Sequence, residues 1–140
     1  MQTDFKTEFK TIVNATPIKV WDALTNPALI KQYFFGTDLL TNWEVGSTIV
    51  FNGEFQGQKY QDKGKILEYE DCKKVSYSYL SSFSGKEDKP ENYLWICYEI
   101  KPCKNGTELT ISQSNYDEER AKHSNNNWMM VIDGLKKLIE

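Results

Sequence analysis

No stretch of this chain approaches the roughly 20 consecutive apolar residues that a membrane-crossing helix requires, which excludes a helical membrane protein. Histidine is nearly missing, with His123 alone. Cysteine is scarce: Cys72, Cys97 and Cys103 form no C-x-x-C pair, and the lone histidine lies far off. A zinc donor set is therefore lacking, and the expectation is no metal and no cofactor. Thiols so spaced read as reduced and structural, as in a reducing compartment. A basic surplus is missing too. Seventeen Lys and Arg against twenty Asp and Glu leave a net charge of −3, which argues against nucleic acid as a partner. Both signs are scattered, so no polybasic patch for an anionic membrane surface exists. Met1-Gln2-Thr3-Asp4 has neither a basic nor an apolar leader region, and the expected location is the cytoplasm. G-x-S-x-G, P-loop and H-E-x-x-H patterns are absent, so those nucleophilic, phosphate-binding and zinc-protease templates fail.

What the chain has is aromatics: eight Tyr, seven Phe and four Trp, 14% of 140 residues. That length reads as one domain, 1–140, large enough to bury a core without disulfides or metal. Phe5 to Val13 alternates with period two, as a strand does. Thr16-Pro17 opens a helix from Ile18 to Leu24 that turns Val20, Trp21 and Leu24 inward, with Thr16 as cap and Pro17 in the first turn. Pro27 ends it, and a second short helix spans Ala28 to Phe34. Strands follow at Thr37 to Thr41, Thr48 to Phe55, Tyr60 to Glu70, Lys74 to Ser81, Tyr93 to Ile100 and Thr107 to Asn115. Gly64 marks a bend or bulge, Ser82 to Glu91 is a polar loop, and Asn105-Gly106 is a hairpin turn. If the later strands form a meander, Cys72 and Cys103 fall at the same sheet end.

The last stretch organises the rest. On a helix from Asp117 to Glu140, one stripe collects Asp117, Ala121, Ser124, Asn125, Trp128, Val131, Ile132, Leu135, Leu138 and Ile139. Its C-terminal half is apolar and its N-terminal half small or polar. Such a helix seals a core at one end and leaves room, with hydrogen-bonding groups, at the other. Asn125-Asn126-Asn127 are poor helix formers that threaten its continuity, and Ser114 and Asn115 read as its caps. Strands segregated from helices argue for an antiparallel sheet in an α+β fold.

The motifs narrow this. Val13-Asn14-Ala15-Thr16-Pro17, followed by Val20-Trp21-Asp22-Ala23-Leu24-Thr25-Asn26-Pro27, resembles the opening of the family named after the activator of heat-shock-protein-90 ATPase, within the START-like (SRPBCC) superfamily. Gly46, Gly64, Gly106-Thr107-Glu108-Leu109-Thr110, Trp128, Leu135 and Leu138 stand at similar places. Tyr33-Phe34-Phe35 stands where that family often has tryptophan, and Asn126-Asn127 replaces a glycine region. The resemblance implies a helix-grip fold: a curved sheet of seven strands around the C-terminal helix, with a cavity between. It does not imply chemistry, since the fold hosts carriers, cyclases and co-chaperones.

The candidate ligand-binding set is Trp21, Phe34, Phe51, Tyr77, Tyr79, Tyr98, Ser124, Asn125, Trp128 and Ile132. Either its aromatics fill a core or they line a cavity. Three inward tyrosines favour the cavity, because phenylalanine would avoid the need to satisfy buried hydroxyls. His123 lies about 140° from Trp128 at 100° per residue and is expected to face solvent. Glu99 and Lys101 read as solvated cross-strand pairing and not a catalytic dyad, and Asp62 as a carboxylate turned outward despite sharing parity with Gly64 and Ile66. The first expectation is a non-enzymatic module holding a small lipophilic molecule. The second is a chaperone-interaction domain with a patch around Trp95 and Tyr93, on a monomer or weak dimer. The third is a cyclase- or hydrolase-like enzyme using an inward carboxylate such as Asp62.

Overall fold

The structure is a computed structural model that describes residues 5–82 and 84–140. Met1-Gln2-Thr3-Asp4, on which the leader reading rests, and Phe83 in the polar loop lie outside the described residues. The chain runs β1 (Phe5–Val13), α1 (Pro17–Thr25), α2 (Pro27–Tyr33), β2 (Asp38–Leu40), β3 (Thr48–Phe55), β4 (Gln58–Glu70), β5 (Lys74–Tyr79), β6 (Leu94–Cys103), β7 (Gly106–Asn115) and α3 (Glu118–Ile139). The strands form one curved antiparallel sheet in the order β1-β7-β6-β5-β4-β3-β2. This is the helix-grip architecture.

Capping decides where the helices start. Thr16 Oγ1 accepts from the Lys19 amide (3.3 Å) with Pro17 in the first turn. Asn26 closes α1 and, through Oδ1, caps the Ala28 amide of α2 (3.0 Å), so the two short helices share one hinge residue. At α3 the cap is Asp117, which accepts from the Arg120 amide at 2.7 Å. Ser114 and Asn115 do not cap it. Both are still in β7, where Ser114 Oγ accepts from the Trp95 amide (2.8 Å) and Asn115 Nδ2 donates to the Phe5 carbonyl (2.8 Å). The asparagine triplet does not interrupt α3. Burial of Trp128, Val131, Ile132, Leu135 and Ile139 against the sheet outweighs its propensity cost, a few tenths of a kcal/mol per residue.

The core lies on the sheet's inner face, with Ile49, Ile66, Val75, Leu109 and Ile111 at most 1% exposed and α1 and α3 laid across it. Ser76 and Cys97, paired across β5 and β6, are also buried. Burial pushes the Cys97 thiol up to about 11, against an opposing pull from Lys74. Cys72 is half-buried and Cys103 exposed, and all three are free thiols. Timed alkylation at pH 8 is expected to modify Cys103 first, Cys72 more slowly and Cys97 only on unfolding, as peptide mass spectrometry would read. Labelling of native Cys97 at the rate of Cys103 would contradict this burial. Lys101 pairs with Glu108 across β6 and β7 (3.4 Å), not with Glu99. Glu99 and Lys101 are two apart on one strand, so their neighbours are across the ladder.

Candidate functional site: a cavity between α3 and the sheet

Helical spacing of three and four puts Arg120, His123, Ser124, Asn127, Trp128 and Val131 on one face of α3. All six line a cavity of about 700 Å³. The facing wall comes from alternate residues of successive strands: Phe51 on β3, Tyr60 and Asp62 on β4, Tyr77 and Tyr79 on β5, Ile96 on β6, and Gln113 and Asn115 on β7. Phe34 and Thr37 close the side near α2. The rim is exposed and includes Glu54, Arg120, His123 and Asn127, with Phe35 and Met130 58% and 57% accessible.

The apolar surface is an aromatic cluster. The Phe34 ring lies 6.1 Å from Trp128 and 6.4 Å from Phe51. Phe51 in turn lies 5.4 Å from Tyr79 and 5.7 Å from Tyr77. Most are edge-on or tilted, as ring quadrupoles prefer. Polar groups in the wall are matched to one another. The Tyr77 and Tyr98 hydroxyls share a hydrogen bond of 2.8 Å, and those of Thr37 and Tyr60 one of 2.9 Å. Trp128 Nε1 donates to Gln113 Oε1 (2.7 Å), whose Nε2 donates to Asn115 Oδ1 (3.1 Å). Tyr79 donates to Asp62 Oδ2 at 2.5 Å, while Asp62 Oδ1 accepts from the Ser82 amide (2.8 Å) and hydroxyl (3.0 Å). Burial raises the phenols of Tyr77, Tyr79 and Tyr98, and for Tyr79 the Asp62 carboxylate adds to the effect. They are neutral donors at any physiological pH.

One polar atom stands apart. Ser124 is 7% exposed, and its Oγ is the one buried side-chain oxygen or nitrogen among the described residues that has no hydrogen-bond partner. A buried hydroxyl left unsatisfied costs about 1–3 kcal/mol, and this one borders the cavity.

Of the residues singled out from the sequence, Phe34, Phe51, Tyr77, Tyr79, Ser124 and Trp128 meet at the cavity. Four do not line it. Trp21 is buried with Nε1 donating to the Tyr69 hydroxyl (3.2 Å). Tyr98 sits behind Tyr77, and Ile132 is 1% exposed in the core. Asn125 is exposed on α3 and points elsewhere. The cavity borders the side of Ser124 and Trp128 that carries Arg120, His123 and Asn127, about one residue round the helix from the predicted side of Ala121 and Asn125. His123 is exposed as expected, but on the rim. Asp62, expected outward, is 5% exposed and inward; its parity with Gly64 and Ile66, and its place opposite Phe51, carried that signal. Trp95 is half-buried with Lys6 Nζ 5.7 Å from its ring centre. The Tyr93 hydroxyl donates to Asp88 (2.6 Å), and its phenol is pushed up to about 12, by burial first and Asp88 second.

Among the described residues no group of three His, Cys, Asp or Glu could hold a metal ion, and no helix is long and apolar enough to cross a membrane. No curated protein matches the chain. Among solved structures, the protein ChR145 of Cytophaga hutchinsonii is 41% identical, with a TM-score of 0.84 over 99% of this chain and 95% of that one. CV1439 of Chromobacterium violaceum shares the fold at 19% identity, TM-score 0.79 over 96% of each chain. So does the Aha1 dimer of Colwellia psychrerythraea, at 22% identity and TM-score 0.74, again over 96% of each. The model of the family described as Activator of Hsp90 ATPase homolog 1-like protein matches residues 14–140, and the chain belongs to that family.

Proposed function

We propose that this protein is a non-enzymatic binding module that encloses a small, mainly apolar molecule between α3 and the sheet. The observation that carries this reading is Ser124: a hydroxyl without a partner on the wall of a 700 Å³ cavity gains one when a ligand's polar group meets it. The size is that of small-molecule sites, about 300–1,000 Å³. Aromatic walls supply affinity by burial, at about 25 cal/mol per Å² before ordering costs. Asp62 favours binding over catalysis, because Tyr79 and Ser82 donate to both of its oxygens and tie the carboxylate to the wall. A chaperone-docking role would use the face around Trp95 and Tyr93, whose side chains are engaged by Lys6 and Asp88; the cavity is the better-supported feature.

Native mass spectrometry of the purified protein is expected to show a co-purifying small molecule or, after stripping, saturable uptake of an anilinonaphthalene probe. Ser124→Trp fills the space beside Trp128 and is expected to weaken probe binding about 100-fold, the loss of about 2.7 kcal/mol. Equal binding by a folded Ser124→Trp protein, or no ligand and no uptake by the wild type, would sink the proposal.

A further inference from the structure

The α3 wall of the cavity changes character along its length, and that gradient names a ligand class. From Trp128 onward it is apolar. Over its N-terminal turns it presents Arg120, His123, Ser124 and Asn127. Arginine can only donate hydrogen bonds, and serine and asparagine both carry donors. Arg120 is weakly engaged: its Nη1 lies 3.5 Å from Asp117, and its guanidinium lies 5.3 Å from the centre of the Tyr116 ring. The acidic groups of the cavity are otherwise placed. Asp62 already accepts three hydrogen bonds, from Tyr79 and Ser82, on the facing wall, and Glu54 stands exposed on the β3 rim.

We infer that the cavity takes a monocarboxylate with an apolar, ring-containing body, its carboxylate held at the rim by Arg120 and hydrogen-bonded by Ser124, its body against Phe51, Tyr77 and Trp128. The inference rests on the carrier reading and sharpens it. Guanidinium is suited to a carboxylate because its paired N–H groups match the two oxygens. The partnerless Ser124 hydroxyl lies one helical turn inward from Arg120, within reach of the same head group.

The test uses a matched pair of probes, naphthaleneacetate and naphthaleneacetamide, titrated calorimetrically into the stripped full-length protein. They share a body and a carbonyl and differ in charge. The acid is expected to bind about tenfold more tightly than the amide, with an advantage that shrinks as salt rises. Arg120→Gln is expected to remove that advantage by weakening the acid far more than the amide, and Arg120→Lys to restore part of it. If acid and amide bind equally and Arg120→Gln changes neither, the carboxylate assignment falls while the carrier reading stands. If neither binds and the co-purified molecule has no acid group, the assignment falls likewise. If nothing binds and nothing co-purifies, both fall.

Discussion

Gly64→Ala is expected to cost at least about 3 kcal/mol of stability, a large share of the roughly 5–15 kcal/mol that holds a domain folded. A methyl group at residue 64 would stand 1.6 Å from the Ser78 carbonyl oxygen and 2.5 Å from its carbonyl carbon. Both obstacles are backbone, so no side-chain rotation relieves them. The contact exists because β4 changes partner here. Its first half pairs with β3 and its second with β5. At the crossing, Lys63 bridges Leu80, the Lys65 amide donates to Ser78 Oγ at 3.0 Å instead of to a carbonyl, and the register shifts between Ile66 and Glu68. Strands pressed this close tolerate only hydrogen on the α-carbon. Forcing them apart also moves Asp62 and Tyr79, so any surviving Gly64→Ala protein is expected to bind the anilinonaphthalene probe poorly. Urea unfolding followed by circular dichroism checks this, with exposed Lys65→Ala as the control, expected within about 0.5 kcal/mol of wild type. A Gly64→Ala protein as stable as that control would show that the strands separate freely here.

The bend at Gly64 was legible in the sequence, and so was most of the fold, because its signals are local. Alternation over residues 5–13 and 74–79 needs only period two, and Thr16-Pro17 and Asn26-Pro27 announce their helices through cap chemistry. Asn105-Gly106 announced its turn, where Gly106 has φ 137° and a side chain would meet the Val13 carbonyl at 2.3 Å. The site was legible only in part, because a cavity is a difference between volumes contributed by distant elements. Parity said that Tyr77 and Tyr98 point inward. It could not say that their hydroxyls meet, since Tyr77 is in register with Ile96 and Tyr98 with Val75 and the contact is diagonal. Inward tyrosines therefore do not by themselves call for a ligand: the hydroxyls of Tyr77 and Tyr98 satisfy each other, and the one without a partner among the described residues is that of Ser124. Arg120, His123 and Asn127 lie outside the stripe because it follows the apolar C-terminal turns, and the arc that faces the cavity is turned about one residue from it.

That mutual satisfaction of Tyr77 and Tyr98 has a large consequence at high pH. Stability is expected to be level from about pH 7 to 9 and to collapse within one or two units above pH 10. Burial raises both phenols above their ordinary value of 10.0, and the two residues are 2% and 6% exposed. The unfolded chain therefore loses these protons first. The stabilisation is complete below the unfolded value and is lost as pH climbs from 10 towards the folded values. Each such phenol removes about 1.4 kcal/mol per pH unit over that range. The pair alone thus costs about 3 kcal/mol at pH 11, and Tyr79 and Tyr33, shifted in the same direction, add to it. Urea midpoints across pH 7 to 11, read beside tyrosinate absorbance, should show ionisation of these residues coinciding with unfolding. Tyr77→Phe alone leaves the Tyr98 hydroxyl buried without its partner and is expected to cost about 1–3 kcal/mol at pH 7. The double change to phenylalanine removes both hydroxyls. It should recover most of that loss at pH 7 and shift the alkaline collapse upward. Tyrosinate absorbance that rises fully at pH 10 while the protein stays folded would mean that the pair is open to water.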